Sequence, residues 1–142
     1  MFHEQRMDVD GLTPADLRAE YEADLADAVE AVGIDAAVEE TTLDRDALTA
    51  LVEDESPSLS LEEAAQVQSL ADGVADAETV VEMACEHLLL GMTTGVMDVD
   101  AVSRDLAIDL DPKEVQQKIE RRAPMSFDEF VHVQHAIANG QP

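Results

Sequence analysis

From Thr13 onward, start and stop signals divide the chain into segments whose apolar residues recur at helical spacing, a pattern that leaves little room for strands. Thr13-Pro14 pairs an N-cap with proline at the first helical position, and Gly33 supplies a stop. Between them Leu17, Tyr21, Leu25, Ala28, Val29 and Val32 form one stripe, which predicts a helix over 14–32. Shorter helices are expected over 34–41 and 45–54, separated by a turn at Thr42-Leu43 and followed by a break at Ser56-Pro57-Ser58. Ser60-Leu61-Glu62-Glu63 is a capping box that opens a helix over 61–71, closed at Asp72-Gly73. A long segment from Glu78 to Val96 is apolar on more than one face, as expected of a central helix packed on both halves or of a dimer interface, with Gly91 and Gly95 as places for a kink. Beyond it come a helix over 99–107, a turn at Asp109-Leu110, a helix over 112–122 and a break at Ala123-Pro124-Met125. The last helix starts at a second capping box, Ser126 to Glu129, and ends at Asn139-Gly140.

The two halves use one pattern twice. Leu43, Asp44, Leu48 and Val52 correspond at a single offset to Leu110, Asp111, Val115 and Ile119. After a one-residue slip, Ser60, Glu63 and Val67 correspond to Ser126, Glu129 and Val133. With 142 residues and 46% hydrophobic content the chain buries a core of its own, as one domain or two small ones. Aromatics are only 3% and Trp is absent, so the core is expected to be Ala, Val, Leu and Met packed between helices. The expected architecture is all-α: an arm over 1–12, a first unit over 13–73 and a second over 77–140, sharing the long apolar helix.

Charge sets the environment. Thirty-three acids against eight Lys and Arg give a formal net charge of −25, a self-repulsion that works against compactness in dilute buffer. At about 1 M salt the screening length is roughly 3 Å, the repulsion is largely removed, and hydrated carboxylates keep the surface soluble. The acids lie between apolar periodic positions and only two cations, Lys113 and Lys118, are lysines, which fits a halophilic archaeal protein; an acidic mimic of nucleic acid is the alternative. One cysteine, Cys85, excludes an intramolecular disulfide and any cysteine-based zinc site within the chain. No apolar signal core or membrane-length span is visible, so a cytoplasmic protein without membrane contact is expected.

Residues 41–71, TTLDRDALTALVEDESPSLSLEEAAQVQSLA, resemble the helix-turn-helix region of the lambda-repressor and Cro-like family. IDLDPKEVQQKIERRAPMSFDEFVHVQHAIA is similar. The likeness covers about 30–40 residues in each half and implies a repressor-type fold with nucleic-acid contact as the expected function. Two departures stand against standard docking: the turn glycine of that family is Thr42 and Asp109 here, and the glycine after the third helix is Ser56 and Ala123. The whole chain also resembles an uncharacterised family of haloarchaeal proteins.

A recognition helix must offer donors to bases and phosphates. In the first unit the face opposite Leu48 and Val52 carries Asp46, Ala50, Glu53 and Asp54, which repels phosphate. In the second, the face opposite Val115 and Ile119 carries Lys113, Gln117, Glu120 and Arg121, flanked by Gln116, Lys118 and Arg122. Half of the chain's Lys and Arg fall between 113 and 122, which makes Lys113, Gln116, Gln117, Lys118, Arg121 and Arg122 the expected nucleic-acid contacts. The competing account is structural: Lys118, Arg121 and Arg122 complement the helix dipole and pair with nearby acids.

Elsewhere, Glu129, His132 and His135 stand at three-residue steps that could hold a metal, but no further ligand pattern accompanies them and a partly exposed polar stripe is the expected reading. Cys85 and His87 are two apart on a helix and point in different directions. No phosphate loop, serine elbow or zinc-protease motif is present, so a non-enzymatic protein without cofactor is expected. The functional expectation is a DNA-binding regulator acting through the second unit, with homodimerisation through the 78–97 helix. The rival is a degenerate helix-turn-helix adaptor that has lost DNA reading and binds protein, an acidic partner included.

Overall fold

A computed structural model of the chain describes residues 1–141. Eight helices, and no strand among the described residues, build it: α1 Pro14–Val32, α2 Ile34–Glu40, α3 Arg45–Val52, α4 Leu61–Gln68, α5 Ala77–Thr94, α6 Val99–Asp105, α7 Pro112–Ile119 and α8 Phe127–Asn139. The starts follow the sequence signals closely. Thr13, Asp44, Ser60, Asp76, Asp98, Asp111 and Ser126 each accept a hydrogen bond from the amide three residues on, satisfying donors that the first helical turn leaves free. At Thr13, Ser60 and Ser126 the N3 carboxylate returns the bond to the cap amide, so both expected capping boxes are present and Asp16 adds a third.

The ends depart from expectation. The third helix stops at Val52 instead of 54, and α7 at Ile119 instead of 122. Asp54 (φ 62°) and Arg121 (φ 64°) turn left-handed, and the next amides reach back five residues, Glu55 N–H to Ala50 O and Arg122 N–H to Gln117 O, both at 2.8 Å. This is the helix-terminating turn usually given to glycine. Val96 (φ 53°) ends α5 in the same way, with Met97 N–H donating to Met92 O.

Helix α5 packs on α4 of the first half and on α7 and α8 of the second, as its many-sided apolarity implied. Gly91 does not break it. A Cβ there would lie 2.7 Å from Ile137 Cγ2, so this glycine lets α5 and α8 approach closely. No single helix is long and apolar enough to cross a membrane, and α5 with α6 passes that test only across a 98° bend.

Corresponding positions of the halves are buried in pairs: Leu43 and Leu110, Leu48 and Val115, Leu59 and Met125, Leu61 and Phe127, Gln68 and Gln134. The halves meet loop to loop. An isolated antiparallel bridge joins Ser60 to Ser126, with Leu61 N–H donating to Met125 O (2.9 Å) and Phe127 N–H to Leu59 O (2.8 Å). The two capping boxes therefore start α4 and α8 from one shared junction, and a single hydrophobic cluster runs through both halves.

One part of the core was not expected. Phe2, Tyr21, Phe127 and Phe130, all the aromatics of the chain, gather in one cluster, with the Phe2 ring centroid 5.2 Å from that of Phe127 and 5.7 Å from that of Phe130. The 1–12 arm is thus a docked strap: Phe2 and Val9 are buried, and His87 Nδ1 and His135 Nε2 each stand 2.7 Å from a strap carbonyl, those of His3 and Leu12. A carbonyl only accepts, so those ring nitrogens carry the protons.

Candidate nucleic-acid interface

Val115 and Ile119 are buried and turn the polar side of α7 outward. Lys113 and Gln116 are exposed and Gln117 half-buried along the helix, while Arg121 and Arg122 stand exposed in the turn that follows.

Most of the positive charge is already engaged. Lys118, with a side chain only 16% exposed, donates from Nζ to Glu129 Oε1 (2.8 Å) and to the Pro124 carbonyl (3.0 Å), tying α7 to the start of α8. Burial works to raise the pKa of Glu129, but the bonds from Lys118 and the Ser126 amide outweigh it and hold the carboxyl below its ordinary value. Arg122 pairs with Glu120 at 2.6 Å, Arg121 faces Glu82 of α5 at 3.6 Å, and the Gln116 amide donates to Glu120. Of the lysines and arginines, all among the described residues, only Lys113 and Arg104 lack an ion-pair partner.

The field around Lys113 is anionic. Glu114 beside it has its pKa raised chiefly by the charge of Asp111, with Asp109 adding to the effect. The carboxylates of Asp109, Asp111 and Glu114 beside Lys113 would repel an approaching phosphate. The competing account of these cations, pairing with nearby acids, describes Lys118, Arg121 and Arg122 as they stand.

Glu129, His132 and His135 are engaged separately. Glu129 serves Lys118 and its capping box, His132 Nε2 lies 3.8 Å from Asp128, and His135 reaches the strap. No group of three or more His, Cys, Asp or Glu side chains suited to a metal occurs among the described residues. Cys85 is buried and its thiol pKa pushed up by that burial, against the opposing charge of Arg121.

Sequence reasoning missed Arg18. From α1 it donates to Glu22 (3.1 Å), to Asp128 of α8 (2.7 Å) and to the Pro57 carbonyl (2.8 Å), and stands over the Phe127 ring, while Ser56 closes the group by donating to Glu22. It thereby fixes the first loop against α8. Its signal was faint: one arginine on the rim of an apolar stripe in an acid-rich helix.

No curated protein and no solved structure matches the chain. A profile of a family of unknown function (DUF5791) covers residues 17–140, from Leu17 near the start of α1 to Gly140, which caps α8. That span leaves out the strap and the Thr13 capping box but takes in the rest of the fold and the α7 cations, and the chain belongs to this family of unknown function.

Proposed function

We propose that the chain is a non-enzymatic protein-interaction adaptor, built from two tandem repressor-type helix-turn-helix units that no longer read DNA. The repeat of four helices, with α2 against α3 and α6 against α7, is consistent with that plan. The observation that carries the adaptor reading is the pairing of Lys118, Arg121 and Arg122 with Glu129, Glu82 and Glu120, which leaves the surface around α7 anionic. In the first unit Asp46, Glu53 and Asp54 are exposed beside α3, a face suited to a partner that brings cations. The acid surface itself is read as adaptation to molar salt. On α5 most apolar residues are spent on the chain's own core, and only Leu89 and Leu90, with Val96 just past its end, are large apolar side chains left outward for a second copy.

The test is recovery of the tagged protein from a lysate at native salt after nuclease treatment. The adaptor reading expects one stoichiometric protein partner, lost when Asp46 and Glu53 are both replaced by Lys. Recovery of nucleic acid without such a partner contradicts it. That result would favour the second reading, a DNA-binding regulator acting through Lys113, Gln116, Gln117, Lys118, Arg121 and Arg122, which the unpaired, exposed Lys113 supports.

A further inference from the structure

The cations after α7 border a hollow. A cavity of about 350 Å³ lies between the start of α4, the face of α5 and the 121–125 turn. Small-molecule sites run from about 300 to 1,000 Å³, so this one is large enough for a compact ligand. Leu61, Val81, Cys85 and Met125, all buried, supply an apolar lining, and Lys118, Arg121 and Arg122 stand along it. One carboxylate, Glu62, shares the wall. Three cations and one acid line the cavity, and the carboxylates that pair with those cations, Glu129, Glu82 and Glu120, lie outside the lining.

We infer that this cavity is a binding site for a small amphipathic carboxylate, an apolar body of about five carbons with an anionic head. The apolar body lies on Leu61, Val81 and Met125, and the head meets Arg121 and Arg122. Lys118 is held by Glu129 and the Pro124 carbonyl, so it contributes charge to the wall instead of a free donor. The present partners of the two arginines are replaceable. Glu82 is 3.6 Å from Arg121, and the Arg122–Glu120 pair is solvent-exposed, so both are of the weak surface kind. A ligand carboxylate takes their place while its apolar end leaves water, a gain that neither Glu82 nor Glu120 offers. The charge of Arg121 reaches the lining, since it acts on the Cys85 thiol. The first half has no counterpart: at the positions of Lys118 in α7 and Arg121 in the turn after it, the repeat places buried Leu51 and acidic Asp54. The inference is independent of the adaptor reading, because a ligand here requires neither a protein partner nor DNA.

The experiment titrates the full chain with hexanoate, acetate and 1-hexanol in KCl, following the methyl resonances of Leu61, Val81 and Met125. Hexanoate is expected to shift them saturably, with acetate, which lacks the apolar body, and hexanol, which lacks the charge, each weaker by about tenfold or more. Arg121→Ala and Arg122→Ala are each expected to weaken hexanoate by about tenfold and to leave hexanol unchanged. Circular dichroism checks the fold, and if one variant unfolds, the other variant and the three-probe comparison on the wild-type chain decide. Equal binding of hexanoate and hexanol, absence of methyl shifts, or hexanoate binding unaffected in a folded variant would each overturn the assignment.

Discussion

Tyr21 is the only tyrosine of the chain and lies in the aromatic cluster with its hydroxyl hydrogen-bonded to Gln134. Burial pushes its pKa up from about 10 to about 12. Because the folded state holds this proton more tightly than the unfolded chain, Tyr21 contributes its full share of stability below about pH 10 and loses it as pH rises towards 12. Absorbance of the phenolate, read in the folded protein, should therefore show a midpoint near 12, and an ordinary midpoint near 10 would place Tyr21 in water. At this scale the stripe residues Leu17, Tyr21, Leu25, Ala28 and Val29 were legible as core and are buried, while Val32, the last of the stripe, is half-buried. Phe2 was not, because a lone apolar residue in a polar N-terminal stretch has no periodic company; its place is set by α1 and α8, far away in sequence. The cations of α7 and of the turn after it were legible as a cluster but not as pairs. Glu82 and Glu129 come from other helices, and no spacing along the chain announces them.

Helices, as elements, were read better at their starts than at their ends. A start depends on a local side chain, Ser60 or Asp111, whose identity names its role. The ends of α3, α5 and α7 depend on a left-handed residue, and here Asp54, Val96 and Arg121 occupy positions where glycine would have been the visible sign. A β-branched residue is the least suited to that conformation, at a cost of roughly 1–2 kcal/mol. Val96 is also 92% exposed, so it gives little packing in return. Val96→Gly is expected to stabilise the protein by about 1 kcal/mol, net of the greater freedom glycine has when unfolded. Chemical denaturation checks this. A loss of stability would mean that Val96 contributes contacts that outweigh the backbone cost.

For the whole molecule, the repeat and its consequences dominate. The sequence correspondence of the halves was legible, and so was the two-sided burial of α5. The bridge between Ser60 and Ser126 was not, since it arises only when the two loops are brought side by side. Thirty-three acids against eight cations make the folded chain strongly self-repelling. Its thermal midpoint should rise between about 0.1 M and 1 M KCl, as the screening length falls from roughly 10 Å to roughly 3 Å. A midpoint that stays flat would remove the reading of the acid surface as an adaptation to salt.

The central claim is that Lys118, Arg121 and Arg122 are committed to the protein's own carboxylates, and anisotropy of labelled duplex DNA tests it most directly. Titrated across KCl concentrations, the protein is expected to give no saturable binding at about 0.1 M or above, with Gln117→Ala and Arg121→Ala changing nothing. Saturable binding whose log affinity falls with log salt at a slope near −3, as for about three neutralised phosphates, and which those substitutions abolish, would contradict the claim.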